Sequence, residues 1–302
     1  MTSNLNTKIK SIQAPAAVVM IRPHRFHPNP ETAADNAFQR TDATWSAQAI
    51  ADAARDEVTA AAAALEAAGV RVHVFDDFGA HETPDSVFPN NWFSTHSGGH
   101  VAIYPMYSPN RRRERRIDVI DYSGLECDGL FLEGTGAMVL DHLDRVAYTA
   151  RSNRANAVAL ERFCTHFNFE PMAFSSADAA GCPIYHTNVL MCIGTEFALI
   201  GLDMITEPVR RSEIRARLQQ TGREVIALDE HQIAEFAGNA IELSTNSGRV
   251  LAMSARAASS LRPEQIQIIE RSARILSLSV PTIEMAGGSV RCMLAGIHLA
   301  RR

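Results

Sequence analysis

Short apolar runs alternate with longer segments of helical periodicity along most of the chain. The first run, AAVVMIRP at 16–23, predicts a buried strand that ends at Pro23. The alanine-rich segment 46–68 predicts a helix that stops at Gly69, because glycine readily adopts the left-handed conformation that ends many helices. The alternating run VRVHVF at 70–75 predicts a second strand. Together these elements indicate a strand–helix–strand unit.

Three predicted hairpins follow from residue 137 onward, each succeeded by a helix and a strand. They span 137–150, 189–202 and 240–254, with turns at 142–144, 194–196 and 246–248. The helices are predicted at 155–167, 208–221 and 263–276, and further strands at 100–106, 115–120, 224–228 and 279–285. The hairpins begin about fifty residues apart, a spacing typical of structural repeats. We therefore expect an α/β propeller-like single domain over 1–302, with its functional residues at the shared centre.

Composition and charge exclude several classes of protein. Hydrophobic residues make up 46% and charged residues 21%, as in ordinary globular chains. The net charge of −5 argues against nucleic-acid binding, and the short basic run RRRERR at 111–116 is predicted to be a solvated loop. There is neither an 18-residue apolar run nor an N-terminal signal core, so we expect a cytoplasmic protein with no membrane contact. The five cysteines form no C-x-x-C pair, which predicts reduced thiols.

The stretch GGSVRCMLAG at 287–296 places a cysteine just after a glycine-rich turn. A thiolate is a strong nucleophile near neutral pH when a neighbouring cation stabilises it. Glycines allow the backbone to come close to a substrate. Cys292 is therefore a candidate nucleophile, and the alternative interpretation is a small buried core residue.

Three further polar residues stand beside predicted strand ends. His186 precedes the apolar run VLMCI, where it either makes a structural hydrogen bond or serves as acid and base for a nearby thiol. Glu133 precedes the sequence GTG, and is either a turn acid or a carboxylate that faces the substrate. Asp85 precedes the aromatic stretch SVFPNNWF, and either forms an Asx turn or receives a planar cationic or urea-like group.

Other kinds of site lack their motifs. Neither H-E-x-x-H nor paired cysteines are present, so a zinc site is not expected. The stretch EGTGAM does not match G-x-G-x-x-G and precedes a strand, which disfavours a nucleotide site. A serine hydrolase is disfavoured because no G-x-S-x-G occurs. We expect neither a metal nor an organic cofactor.

In chain order, the pattern Asp…Glu-Gly-x-Gly…His-x-Asn…Cys resembles the pentein superfamily of enzymes that modify guanidine and ureido groups. That superfamily includes arginine deiminases, dimethylarginine dimethylaminohydrolases and amidinotransferases. The stretches FHPNPETAADNAFQ, SVFPNNWFSTH, LEGTGAMVLD, HTNVLMCIG and RCMLAG are most similar to its citrulline-utilisation hydrolase branch. The resemblance runs over almost the whole chain and implies a five-bladed α/β propeller of ββαβ modules.

The resemblance also implies a role for each candidate residue. Cys292 would be the nucleophile, His186 the acid and base, and Glu133 the carboxylate that orients substrate or water. Asp85 would bind the nitrogens of the guanidinium or ureido group. The stretch ARSNRAN is similar to the S-x-R-T-N stretch of dimethylargininases, and this similarity assigns the substrate α-carboxylate to Arg151. Either Arg111 or Arg112 would assist, and the sequence does not choose between them.

Position 188 departs from arginine deiminases, which carry an aspartate there, two residues after the histidine. A cationic guanidinium favours a second carboxylate, whereas a carboxylate beside a neutral ureido group costs desolvation without a compensating attraction. Asn188 offers both a donor and an acceptor, which suits the C=O and NH2 of a urea. The predicted reaction is therefore hydrolysis of citrulline to ornithine, carbon dioxide and ammonia, with a small amino acid as the predicted partner.

Three alternatives stay open at this point. The first is deimination of arginine or methylated arginine, and the second is amidino transfer to an amine. The third is a non-enzymatic propeller, since the same fold occurs in a ribosome anti-association factor. The sequence also leaves the oligomeric state open, a homo-oligomer included.

Overall fold

The computed structural model describes residues 12–40, 44–115 and 120–299. Its strands are β1 (Ala17–Pro23), β2 (Arg71–Asp77), β3 (Phe93–His96), β4 (His100–Ile103), β5 (Ile120–Asp121), β6 (Met138–Asp141), β7 (Val146–Ala150), β8 (Glu170–Phe174), β9 (Met191–Ile193), β10 (Phe197–Ile200), β11 (Glu224–Ala227), β12 (Ile241–Thr245), β13 (Gly248–Ser254), β14 (Arg274–Leu278) and β15 (Ala295–Gly296).

The α-helices are α1 (Ala47–Ala67), α2 (Gly134–Ala137), α3 (Ala157–Phe167), α4 (Thr187–Leu190), α5 (Pro208–Gln219), α6 (Glu230–Ala234), α7 (Ala255–Ser260), α8 (Pro263–Glu270), α9 (Pro281–Glu284) and α10 (Val290–Met293). Short 3-10 helices occupy Pro89–Asn91, Pro109–Glu114, Ser123–Asp128 and Leu202–Met204. In the part of the chain that the structure describes, no helix is both long and apolar enough to cross a membrane.

The described strands form five three-stranded sheets with one shared topology. In each sheet an inner strand pairs antiparallel with the middle strand, which pairs parallel with an outer strand. The connection from middle to outer strand is helical: α3, α5, α7 with α8, and α1 in four modules, and the 3-10 helix Pro109–Glu114 in the other. This confirms the predicted α/β propeller of ββαβ modules.

The two ends of the chain build one module together. Strand β15 near the C-terminus pairs antiparallel with β1, and β1 pairs parallel with β2. The five inner strands β3, β6, β9, β12 and β15 surround the centre, where neighbouring inner strands contact one another. The ring is therefore closed by hydrogen bonds between the first and last strands of the described chain.

Helix α1 shows how the sequence produces one layer of a module. Ser46 caps its first turn by accepting a hydrogen bond from the Ala49 amide, and small or branched side chains line the buried face. These buried residues are Ile50, Ala51, Ala54, Val58, Ala61, Ala62 and Leu65. The predicted stop is confirmed, because Gly69 follows the helix with a φ of +94°.

Two predicted elements near the C-terminus are wrong. The helix predicted over 263–276 ends at Glu270, and 274–278 form strand β14, which pairs with β13. The strand predicted over 279–285 contains helix α9 instead, because Pro281 suits the first turn of a helix and cannot donate to a sheet. Most of the strand predicted at 115–120 lies outside the described residues.

Candidate active site

The candidate residues lie where the chain enters the inner strands. Glu133 precedes the short helix α2 and strand β6, and His186 precedes α4 and β9 in the same way. Each stands five residues before its strand, which starts at Met138 or Met191. Cys292 lies in α10, directly before β15. Because the modules repeat around one axis, equivalent positions in different modules meet at the centre.

A small, partly open cavity of about 10 Å³ lies at this meeting point. Cys292, His186 and Asp85 all line it, as do Thr32, Asn36, Phe88, Asn91, Arg111, Arg154, Tyr185, Ala286 and Gly288. Glu133 and Asn188 stand directly behind two of these residues, in contact with His186 and Cys292 respectively. The structure therefore brings five of the six predicted site residues together.

The sulfur of Cys292 is held by two side-chain amides. Asn188 Nδ2 donates to Sγ at 3.2 Å, and Asn239 Nδ2 donates to it at 3.3 Å. The thiol is 2% exposed. Two N–H donors aimed at one sulfur stabilise negative charge on it, which a nucleophilic thiolate requires. Asn239 is absent from the residues predicted from sequence, since nothing in the local pattern marks it.

His186 and Glu133 form a buried hydrogen-bonded pair, with Nε2 and Oε2 2.9 Å apart. Burial tends to raise the pKa of Glu133, but Arg154, the His186 hydrogen bond and Arg111 hold it well below its ordinary value. Burial lowers the pKa of His186, an effect that Glu133 opposes. The carboxylate can only accept, so Nε2–H is the donor and a neutral His186 has its Nδ1 lone pair available as a base.

Two buried arginines balance the acids of the site. Arg111 binds Glu114 through Nε at 3.0 Å and Nη2 at 3.2 Å, and it lies 3.6 Å from both Asp85 and Glu133. Arg154 lies 3.6 Å from Glu133 and forms a two-pronged ion pair with Asp35. Burial alone would lower the pKa of either guanidinium, but the neighbouring acids raise it, so both stay charged.

The segment 24–36 covers the cavity from outside. Its Asn29 donates to Asp85 Oδ2 at 2.8 Å, and its Asn36 donates to the Ala286 carbonyl at 3.0 Å. Asp35, in the same segment, supplies the ion pair with Arg154. The covering segment is thus attached to residues of the site, and not merely adjacent to them.

The structure does not bring Arg151 to the cavity, which argues against its assignment to the substrate carboxylate. The Arg151 side chain is half exposed and lies 3.4 Å from Glu207 on the surface. Its backbone N–H donates to Phe174, continuing the sheet, whereas the Arg154 carbonyl accepts from the Glu133 amide at the centre. In the sequence SNRAN, which aligns with S-x-R-T-N, the arginine is Arg154. Careful alignment of that stretch identifies it.

The sequence leaves open whether Arg111 or Arg112 assists at the site, and of the two only Arg111 lines the cavity. Arg112 donates to the carbonyls of Met106 and Tyr107, and it does not line the cavity. The prediction of a solvated loop over 111–116 is wrong for Arg111 and for Glu114, which are 2% and 3% exposed. A charged run on a 3-10 helix can direct its members to opposite sides, and the composition alone does not show which member turns inward.

The glycines after Glu133 are required by close packing. Gly134 has a φ of +44°, and a Cβ added there would lie 2.5 Å from the Asn90 carbonyl oxygen. A Cβ on Gly136 would lie 2.1 Å from Asn91 Oδ1 and 3.0 Å from the His186 ring. The GTG sequence therefore allows His186 and the Asn90–Asn91 turn to approach the same backbone.

The family is identified by comparison with known proteins. A family model described as N,N dimethylarginine dimethylhydrolase, eukaryotic, matches residues 22–299. The match covers nearly the whole chain, and the chain belongs to this family, within the pentein superfamily. No curated protein matches it.

Solved structures share the fold at low sequence identity. The N-terminal domain of ArgZ, an arginine dihydrolase from the ornithine–ammonia cycle in cyanobacteria, is 14% identical with a TM-score of 0.70, over 93% of this chain and 97% of that domain. Complete ArgZ has a TM-score of 0.72 at 15% identity; the match covers 94% of this chain and 41% of ArgZ. DDAH from Pseudomonas aeruginosa in complex with citrulline is 13% identical with a TM-score of 0.63, over 94% of this chain and all of that one.

Glu114 makes the stability of the site depend on pH. Burial raises its pKa to about 7, although Arg111 opposes the shift. When folding raises the pKa of a carboxyl group, the folded protein loses stability as the pH rises from the group's ordinary pKa through its raised pKa of about 7. Between pH 5 and 8 we expect wild type to lose roughly 2 kcal/mol of unfolding free energy relative to Glu114→Gln, measured by urea denaturation.

The control for this measurement is Glu213→Gln, because Glu213 is a half-exposed residue paired with Arg210 on the surface. Its unfolding free energy should follow the wild-type pH dependence. If Glu114→Gln also runs parallel to wild type over this range, Glu114 does not titrate in it.

Proposed function

We propose that this protein hydrolyses the ureido group of citrulline through a covalent cysteine intermediate, producing ornithine, carbon dioxide and ammonia. The observation that carries the proposal is the contact between Asn188 and Cys292. A neutral amide occupies the position beside the sulfur, and its Oδ1 has no hydrogen-bond partner among the described residues. A buried acceptor without a partner favours a ligand that supplies an N–H donor.

The first half of the reaction forms the intermediate. The neutral imidazole of His186 takes the Cys292 thiol proton, and the thiolate attacks the planar ureido carbon. His186 then returns the proton to the terminal nitrogen, which leaves as ammonia. Glu133 stabilises the imidazolium that forms between these steps, because its carboxylate accepts the Nε2–H hydrogen bond.

The second half releases the product. His186 deprotonates a water, which attacks the thiocarbamate carbon and restores the Cys292 thiol with the proton from His186. The resulting carbamate of ornithine decomposes to ornithine and carbon dioxide. One citrulline and one water therefore give one molecule each of ornithine, carbon dioxide and ammonia. Every step uses side chains that line the cavity or directly contact a lining residue.

The remaining polar residues of the cavity suit the rest of the substrate. Asp85 carries the carboxylate that would accept N–H groups of the ureido end. Arg154 and Arg111 are the cations of the cavity, and a guanidinium binds a carboxylate with two parallel hydrogen bonds. We assign the α-carboxylate of the substrate to Arg154, with Arg111 as its neighbour.

Arginine is the second candidate substrate, since the site holds more acids than cations. Asp85 and Glu133 both lie within 3.6 Å of Arg111, whose guanidinium is already bound by Glu114. An excess of buried negative charge attracts a cationic guanidinium. The cyanobacterial neighbour ArgZ is an arginine dihydrolase. Citrulline is preferred here because Asn188 supplies no second carboxylate at the sulfur.

A product assay tests the proposal. Citrulline, arginine and dimethylarginine are each incubated with the protein, and ornithine, citrulline and ammonia are quantified. We expect citrulline to give ornithine and ammonia in equal amounts, with turnover falling at least about a thousandfold in Cys292→Ser. Mass spectrometry of quenched wild-type protein should find the adduct on the Cys292 peptide, and the exposed thiols Cys127 and Cys182 serve as internal controls. Full turnover by Cys292→Ser would rule out covalent catalysis at this residue.

Asn188→Asp tests the choice between citrulline and arginine. A carboxylate beside the sulfur should favour the cation, so the ratio of kcat/KM for citrulline to kcat/KM for arginine should fall about tenfold or more. Asn239→Asp is the matched control, because Asn239 donates to the same sulfur but its Oδ1 already accepts from the Arg291 amide, whereas Asn188 Oδ1 has no partner among the described residues. It should lower both kcat values with little change in the ratio. An unchanged ratio in Asn188→Asp contradicts the specificity argument.

Arg154→Gln and Arg151→Gln separate the two assignments of the substrate carboxylate. Loss of a charge-assisted pair should raise KM for the amino acid about tenfold to a hundredfold in Arg154→Gln. Arg151→Gln should leave KM unchanged, because that side chain is half exposed and pairs with Glu207. Steady-state kinetics at saturating and limiting substrate distinguish KM from kcat. A larger KM increase in Arg151→Gln would reverse the assignment.

A further inference from the structure

A second cavity lies on the propeller axis behind the candidate active site. Its volume is about 50 Å³, and all five inner strands contribute to its wall. Neighbouring residues of the chain face this rear cavity and the front cavity at the active site. Arg291 lines the rear cavity and Cys292 the front one. In the same way, Thr135 lines the rear cavity and Gly136 packs against His186. A layer about one residue thick thus separates this rear cavity from the nucleophile.

Arg291 places a positive charge in the rear cavity. Its Nη1 donates to the Leu294 carbonyl at 2.9 Å, and no carboxylate of the described residues lies within 4.0 Å of its guanidinium. Burial lowers the pKa of Arg291, and only negative charge on the neighbouring sulfurs of Cys292 and Cys192 would oppose this shift. Burial raises the pKa of Cys192 to about 12, so its thiol is neutral and is not a counter-ion. The Arg291 side chain is half-buried, and a guanidinium that lines a cavity without a counter-ion favours an anion beside it.

The rest of the wall is ordered and adds no positive charge at neutral pH. Burial, and then the charge of Arg291, lower the pKa of His298 to about 4, so its imidazole is neutral. This ring stacks on His142 with centroids 3.9 Å apart, and the His298 amide donates to Thr95 Oγ1 at 2.7 Å. Gln13 is held by bonds to the Leu140 and Ile193 carbonyls.

An acid on the same wall already has partners. Glu242 Oε2 accepts from the Thr195 amide at 2.8 Å and from its hydroxyl at 2.5 Å, and Oε1 lies 3.3 Å from Arg249. Glu242 is therefore held by another cation and is not the counter-ion of Arg291. Besides Glu242, which pairs with Arg249 although its Oε1 makes no hydrogen bond to a described residue, the wall presents the Arg291 cation and neutral hydrogen-bonding groups.

We propose that the rear cavity is a binding site for a small inorganic anion, such as chloride or bicarbonate, held by the Arg291 guanidinium. The size of the cavity selects against larger organic anions. The proposal does not depend on the reaction at Cys292, and its test needs no substrate.

Ligand-induced stabilisation provides that test. Unfolding of the full chain is followed in sodium chloride, in sodium bicarbonate and in sodium gluconate at equal ionic strength and pH 8. Gluconate is too large for the cavity. A ligand that binds only the folded state stabilises it in proportion to ln(1 + [L]/Kd), so chloride and bicarbonate should give a saturable rise in the unfolding midpoint and gluconate none. In Arg291→Gln we expect the apparent affinity to fall about tenfold or more.

Arg271→Gln is the control, because Arg271 is an exposed surface arginine that pairs with Glu224. It should keep the wild-type response. Since Arg291→Gln could fail to fold, wild-type crystals grown in sodium bromide provide a second measurement, in which an anomalous peak should lie against the Arg291 guanidinium. Equal stabilisation by gluconate, an unchanged response in Arg291→Gln, or no bromide peak at Arg291 each overturns the proposal.

Discussion

The buried carboxylate of Glu133 is the interaction on which the centre of the molecule depends. It is fully buried, and its Oε2 faces His186 at 2.9 Å and the guanidinium groups of Arg154 and Arg111 at 3.6 Å. A buried charge is tolerated only when partners compensate its desolvation, and removal of one partner typically costs about 3 to 5 kcal/mol. Here two of the partners, Arg111 and His186, belong to modules other than that of Glu133. The charge of one residue therefore fixes the relative positions of several modules.

The same carboxylate connects architecture with chemistry. Glu133 and His186 occupy equivalent places in successive modules, each just before an inner strand, so the repeat itself brings acid and imidazole into contact. The β15–β1 pairing closes the ring, and α10 with Cys292 directly precedes β15. Cys292 therefore lies beside the other two residues in a structure whose described ends are joined in one sheet.

Sequence patterns were sufficient to predict the structural repeats and the candidate site residues that stand near strand starts. Hydrophobic runs and turn signals locate the hairpins. Neighbouring glycines mark Cys292 and Glu133, a following apolar run marks His186, and a following aromatic stretch marks Asp85. The boundary between helix α8 and strand β14 was harder to predict, because apolar residues such as Ile268, Ile269 and Ile275 fit both the helical and the strand periodicity. Tertiary pairing with β13 decides between them.

The arginines show the limit of that approach. Arg151 and Arg154 are three residues apart with the same side chain, and the hydrophobic pattern does not distinguish them. Burial of Arg154 and its ion pair with Glu133 show that it is the one that turns inward. Arg111 lies in a run of charges that reads as solvated, yet it is buried because three acids from different segments surround it. A long cationic side chain follows the positions of its counter-ions, and those positions are set by the fold and not by the local sequence.

The size of the front cavity has a consequence for how any amino acid binds. The front cavity is partly open and its volume of about 10 Å³ holds about one water, so an amino acid enters only if residues around it move, including those of segment 24–36. That segment holds Asp85 through Asn29 and Arg154 through Asp35. The Asn29 amide thus already donates to Asp85, the acid proposed to bind the ureido group. The Asp35 carboxylate already pairs with Arg154, the cation proposed to bind the α-carboxylate. Because a ureido amino acid replaces each contact with one of the same chemical kind, it can open the segment without leaving either buried charge unpaired.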